Sequence, residues 1–146
     1  MTIKNICSAL IIQEGKFVIV KEADGYMAGK WNIPGGHLET HESICSAAIR
    51  EAKEETNLDI ELDGLIGIYQ FKSPAGNNVL QHCFKASIIG GEPKHQAGEL
   101  EDIKFISFHD FLQMDDDKIG HMHLKTIIKN YLEKGSVKNI VFISEL

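Results

Sequence analysis

Apolar and polar positions along this chain fall into blocks with two different periods. Residues 3–12 and 16–21 are apolar, β-branched runs with Gly15 in the short turn between them, the pattern of a hairpin. From Ile44 to Thr56 the spacing becomes helical. Ser43 is a good N-cap, no proline or glycine interrupts the run, and Asn57 suits the left-handed residue that ends many helices. Residues 59–71 alternate loosely, 73–78 (SPAGNN) have turn composition, and 79–89 are apolar again, which predicts a second, longer hairpin. A glycine-rich acidic loop at 90–102 leads to a predicted strand at 103–108 and a short helical turn at 109–114, capped by Asp110 or His109. Leu124, Ile127, Ile128, Tyr131 and Leu132 have helical spacing within 121–134, Gly135 stops that helix, and 137–146 reads as a last strand. Two helices around a mixed sheet make an α/β protein, and 146 residues are enough for one domain with a proper core.

The predicted helix at 44–56 carries an unusual face. Glu51, Glu54 and Glu55 are i, i+3 and i+4 neighbours, and they continue the stripe begun by Ile44, Ala47 and Ala48. Carboxylates at the edge of a core repel one another and lose water, which is costly without a counter-charge. A hard divalent cation such as Mg2+ would resolve that cost, because it takes carboxylate oxygens and keeps some waters. The plainer alternative is a solvated glutamate run with lysine partners.

The stretch Gly36–Leu58, GHLETHESICSAAIREAKEETNL, resembles the signature of the Nudix hydrolases, G-x5-E-x7-R-E-U-x-E-E-x-G-U with U a bulky apolar residue. Gly36, Glu42, Arg50, Glu51, Glu54, Glu55 and Leu58 match in register. Asn57 stands where the family has glycine, and Ala52 is small for its position. The resemblance implies a Nudix fold, an α/β/α sandwich with a mixed central sheet, formed by residues 1–146 as a single domain. It also implies Mg2+, with Mn2+ as a substitute, held by Glu51, Glu55 and the Gly35 carbonyl, with Glu54 as ligand or general base. Arg50 points away from the metal face in this reading, orients a glutamate, with Glu54 four residues on and within reach, and ties the helix to the loop. Glu42 is a weaker, outer-sphere candidate. Family members often add a distant glutamate ahead of a late strand; here Glu99 is the candidate, with Glu101 and Asp102 as rivals. A basic residue near the end of the second strand can meet substrate phosphate, which nominates Lys21 and Lys30.

Other chemistry-bearing residues add less. Trp31 could stack on a base or fill the core. His37 and His41 flank the loop and carry no assignment. His82 and Cys83 are adjacent and point to opposite faces, and His121 and His123, two apart, do not share a helix face. The acids 115–117 read as a solvated loop.

Net charge −6 argues against a nucleic-acid or membrane surface and leaves anionic substrates dependent on a local cation. Three separated cysteines, Cys7, Cys45 and Cys83, with no CxxC pair suit a reducing compartment. The start of the chain lacks a signal-peptide layout and no apolar run approaches membrane length, so a cytoplasmic protein is expected, as monomer or homodimer.

The sequence therefore predicts a hydrolase that uses water and a divalent cation to cleave a pyrophosphate bond in nucleoside di- or triphosphates or nucleoside-diphosphate-linked compounds. By resemblance the nearest group is the small bacterial phosphatases that also act on a thiamine-precursor pyrimidine pyrophosphate. The 8-oxo-guanine triphosphatases are similar too. A silent nucleotide-binding module is the alternative of another class, and such modules usually lose the carboxylates that this chain keeps.

Overall fold

In the computed structural model of the chain, residues 2–121 and 123–138 are described. β1 (Ile3–Gln13) and β2 (Lys16–Glu22) form the predicted hairpin, followed by two short strands, β3 (Trp31–Asn32) and β4 (Gly35–His37). Helix α1 (Ile44–Thr56) leads into the long hairpin β5 (Asp59–Lys72) and β6 (Asn78–Gly90). Then come β7 (Leu100–Ser107), α2 (Phe108–Gln113), a 3-10 turn at Asp116–Lys118 and α3 (His123–Lys134).

The sheet runs β3-β2-β1-β6-β5, with β4 also paired to β1 and β7 to β2. It is mixed, as expected: β1 and β6 are parallel, and the other pairs are antiparallel. The parallel pair needs a long crossover, and α1 with β5 supplies it.

Alternation along β1 and β2 builds two cores. Leu10, Phe17 and Ile19 pack with Phe111, Leu124, Ile127 and Ile128 on the α2–α3 side. Ala9, Ile11 and Val18 pack with Ala52 and Leu58 on the α1 side, where Cys7, Ala47, Ala48 and Phe84 continue the layer. Both strands are therefore covered on both faces, and the result is the α/β/α sandwich. A helix as short as α3 is marginal alone. Leu124, Ile127 and Ile128 are fully buried, and at about 1.5–3 kcal/mol each their burial holds it to the sheet. On α1 the packing stripe is alanine, so the helix lies close against β1 and β4.

Several predicted boundaries moved. β3 and β4 lie in a stretch read as loop. β7 starts at Leu100, because its pairing with β2 extends to Glu22 past a register shift between Lys21 and Glu22. The cap of α2 is Ser107, whose hydroxyl accepts from Asp110 N–H; neither His109 nor Asp110 fills that role. α3 begins at His123, two residues later than read. Among the acids 115–117, Asp116 pairs with Lys125 at 2.8 Å. The predicted strand at 137–146 lies outside the described residues from 139 onward, although Val137 makes two backbone bonds with Leu65 of β5.

Candidate active site

α1 places the acidic face as its local sequence dictates. The Ser43 hydroxyl accepts from Ser46 N–H, and Asn57 closes the helix at φ 63° with its N–H on the Lys53 carbonyl. The N-terminal entry is fixed by β4, where the Gly35–Gly36 backbone presses on its surroundings. A Cβ on Gly35 would stand 2.7 Å from the Ser8 Cβ, and one on Gly36 would overlap the Glu51 carboxylate. Glycine is required here for close approach rather than for an unusual φ.

Arg50 meets more carboxylates than the sequence predicts. Its Nε donates to Glu42 Oε2 at 2.6 Å and its Nη2 to Glu42 Oε1 at 3.0 Å, a two-pronged pair. Nη1 reaches Glu51 at 2.9 Å and Glu54 at 3.3 Å, and Nη2 also donates to the His37 carbonyl at 3.0 Å. Arg50 therefore does not point away from the carboxylate face; it ties the loop to the helix and holds two of the helix glutamates. Glu42 is its main partner, and that bond holds the Glu42 carboxyl below the usual carboxylate range.

The other carboxylates face a cavity of about 650 Å³. Glu51, Glu54, Glu55 and Glu99 line it together with Gly35 and Glu22. Glu55 accepts from Gly35 N–H at 2.7 Å. Burial pushes its carboxyl up to about 8, the Gly35 bond opposes that, and the charges of Glu51, Glu22 and Glu99 add to it. Glu51 is also raised, chiefly by burial, with Arg50 pulling the other way. Among the described lining residues Lys4 is the only lysine or arginine.

This donor set fits a hard divalent cation: several carboxylates, one nearly stripped of water, share a cavity with little positive charge. Among the described residues, no three His, Cys, Asp or Glu groups stand at ligand spacing. Arg50 holds Glu51 and Gly35 N–H holds Glu55 in the present arrangement. The cysteines are unpaired, and burial raises the thiols of Cys7 and Cys83 to about 12, so neither is a ready nucleophile.

The remaining candidates separate by position. Glu99 lines the cavity, whereas Glu101 faces Lys21 at 3.8 Å and Asp102 accepts from Ile103 N–H. Lys21, Lys30 and Trp31 are not among the lining residues. Trp31 is 8% exposed, within the α2–α3 core, with Lys104 Nζ 4.5 Å from its ring centroid.

Three lining residues were missed in the sequence. Glu22 stands at the end of β2, where the only signal was an acid closing an apolar strand. Phe71 and His121 stack with ring centroids 5.4 Å apart, and His123 packs 4.3 Å from the same Phe71 ring. The two histidines thus meet on one aromatic residue, because His121 precedes α3 instead of lying on it. Burial, then His123, lowers the His121 imidazole to about 4, and its Nδ1 is buried without a partner among the described residues.

The NUDIX domain profile matches residues 3–125. The chain is 34% identical over 125 residues to the ADP-ribose pyrophosphatase of Methanocaldococcus jannaschii, covering 84% of this chain and 69% of that protein. It is 34% identical over 93 residues to the oxidized purine nucleoside triphosphate hydrolase of Danio rerio, covering 63% of this chain and 60% of that protein. A NUDIX hydrolase structure from Nitrosomonas europaea superposes with a TM-score of 0.88 at 23% identity, over 99% of this chain and 100% of that one. With the fold, the glutamate helix and this match over most of its length in agreement, the chain belongs to the Nudix hydrolase family.

Proposed function

We propose that the protein hydrolyses a pyrophosphate bond in nucleoside di- or triphosphates, or in nucleoside-diphosphate-linked compounds, by attack of water on phosphorus with Mg2+ or Mn2+ bound. The observation that carries this reading is Glu55, a carboxylate pushed up to about 8 inside a cavity it shares with Glu51, Glu54 and Glu99. Such a group is costly to ionise in place, and a divalent cation removes the cost. Glu51, Glu55 and the Gly35 carbonyl would hold the cation, with Glu54 as a further ligand or as the base that takes the proton of water. The cation would neutralise phosphate charge and lower the pKa of the attacking water.

The chain's own residues do the positioning. Arg50 sets Glu51 and Glu54 relative to the Gly35–His37 strand. Glu99 closes the cavity from the loop before β7. The stacked Phe71 and His121 rings give one wall an aromatic character that suits a nucleobase. Substrate contacts by Lys21, Lys30 or Trp31 would have to come from outside the lining set.

A second reading is a pyrophosphohydrolase selective for one modified purine triphosphate, favoured by the likeness to the Danio rerio enzyme. A release assay with Mg2+ on nucleoside di- and triphosphates, ADP-ribose, diadenosine polyphosphates and the thiamine-precursor pyrophosphate tests both readings. Turnover of several nucleoside compounds supports the first. Pyrophosphate release from one modified triphosphate alone supports the second. No turnover from any of them overturns both and favours a silent binding module.

A further inference from the structure

We propose that Glu22 is an additional carboxylate for the divalent cation, delivered by the bulge at the end of β2. The inference rests on the cation-binding reading above and extends it to a residue outside the signature helix.

Four β2 residues before it, Phe17–Val20, are fully buried between the two helical layers. Regular alternation would carry the strand on to its edge. Instead the pairing with β7 slips between Lys21 and Glu22: Lys21 faces Asp102, but Glu22 faces Leu100. Bulges re-aim a side chain, and they recur beside active sites. Here Lys21 turns to Glu101 and Trp31, and Glu22 lines the cavity. The bulge is pinned on both sides. Ala23 N–H donates to the Glu99 carbonyl at 3.1 Å, so the residue after Glu22 is bonded directly to Glu99, just ahead of β7. Glu22 N–H donates to the Lys30 carbonyl at 3.0 Å, and its own carbonyl accepts from Gly29 N–H at 2.8 Å.

Glu22 has no salt-bridge partner among the described residues. It is half-buried, and its close neighbours in charge are Asp24, Glu99 and Glu55. A lysine or arginine at this place would have relieved all of them. Keeping a carboxylate, half out of water and facing other carboxylates, makes physical sense where a hard cation bridges them. Glu22 then comes from the end of β2, whereas Glu51 and Glu55 come from α1.

The test is Mn2+ binding to the intact protein, followed by titration calorimetry and by the electron paramagnetic signal of free Mn2+. Wild type is compared with Glu22→Gln, Glu55→Gln and Glu101→Gln. Glu101 supplies the control, because its substitution removes the same charge two residues from Glu99 and outside the cavity lining. The expected result is that Glu22→Gln weakens Mn2+ binding on the order of tenfold while Glu101→Gln changes it less than about twofold. Glu22→Asp, which keeps the charge on a shorter arm, should recover part of the loss. If Glu22→Gln binds Mn2+ like wild type while Glu55→Gln does not, this inference is overturned and the cation site on α1 stands. If wild type itself takes up no Mn2+, with or without a non-hydrolysable nucleotide, both fall.

Discussion

The two flanks of α1 handle carboxylates in opposite ways. On one, Glu42 is clasped by two nitrogens of Arg50, and its carboxyl is held below the ordinary range. On the other, Glu55 has a single backbone N–H, negative neighbours and a carboxyl pushed up to about 8. The same side chain, 13 positions apart in the sequence, is satisfied in one place and left short of positive charge in the other. The clasped flank fixes the loop and the helix in place. The uncompensated flank is where chemistry can be done, because a charged ligand gains most where the protein has supplied least counter-charge.

The largest effect expected on this comparison comes from Glu55→Gln. Turnover with Mg2+ should fall about 10²–10⁴-fold, while the metal-free protein keeps or gains melting temperature, because glutamine can still accept from Gly35 N–H. Arg50→Ala should come next. It leaves Glu42, Glu51 and Glu54 without their cation and should cost about 2–4 kcal/mol of stability, visible as a lower urea midpoint. A melting temperature equal to wild type would show that the clasped flank is not structural.

The pH dependence of the metal-free protein should follow the sign of the Glu55 shift. The folded carboxyl titrates near 8 against an ordinary 4.5, so between those values the folded chain keeps a proton that the unfolded chain has released. Stability should therefore fall as pH rises through that window and level off above it. Saturating Mg2+ should flatten the slope, as should Glu55→Gln; a slope that rises with pH in both proteins would reverse the account. The smallest effect is at the helix cap. Ser43→Ala removes the bond to Ser46 N–H and should cost about 1 kcal/mol, or roughly 2–4 °C in melting temperature, without changing cation binding.

The same contrast explains what the sequence made legible. α1 is legible at 44–56 because its cap at Ser43, its period and its left-handed stop at Asn57 are local properties. The long hairpin at 59–89 is equally legible, since alternation and turn composition coincide. Glu22 was not, because its direction depends on a bulge fixed by β7, some eighty residues away in the chain. β3 and β4, at two and three residues, are too short to carry a period. The meeting of His121 and His123 on Phe71 required knowing that the helix starts between them. Arg50 is legible as a partner of Glu54 and as a tie between helix and loop, but its bonds to Glu42 and the His37 carbonyl depend on how the loop folds back over the helix.

The central claim is that Glu55, short of positive charge, and its carboxylate neighbours in the cavity hold a divalent cation that drives pyrophosphate hydrolysis. Its most direct test is turnover of ADP-ribose and nucleoside triphosphates by wild type and Glu55→Gln, each with Mg2+ and with excess chelator. The account predicts release of product only by wild type with Mg2+. Equal release in chelator, or by Glu55→Gln, would contradict it.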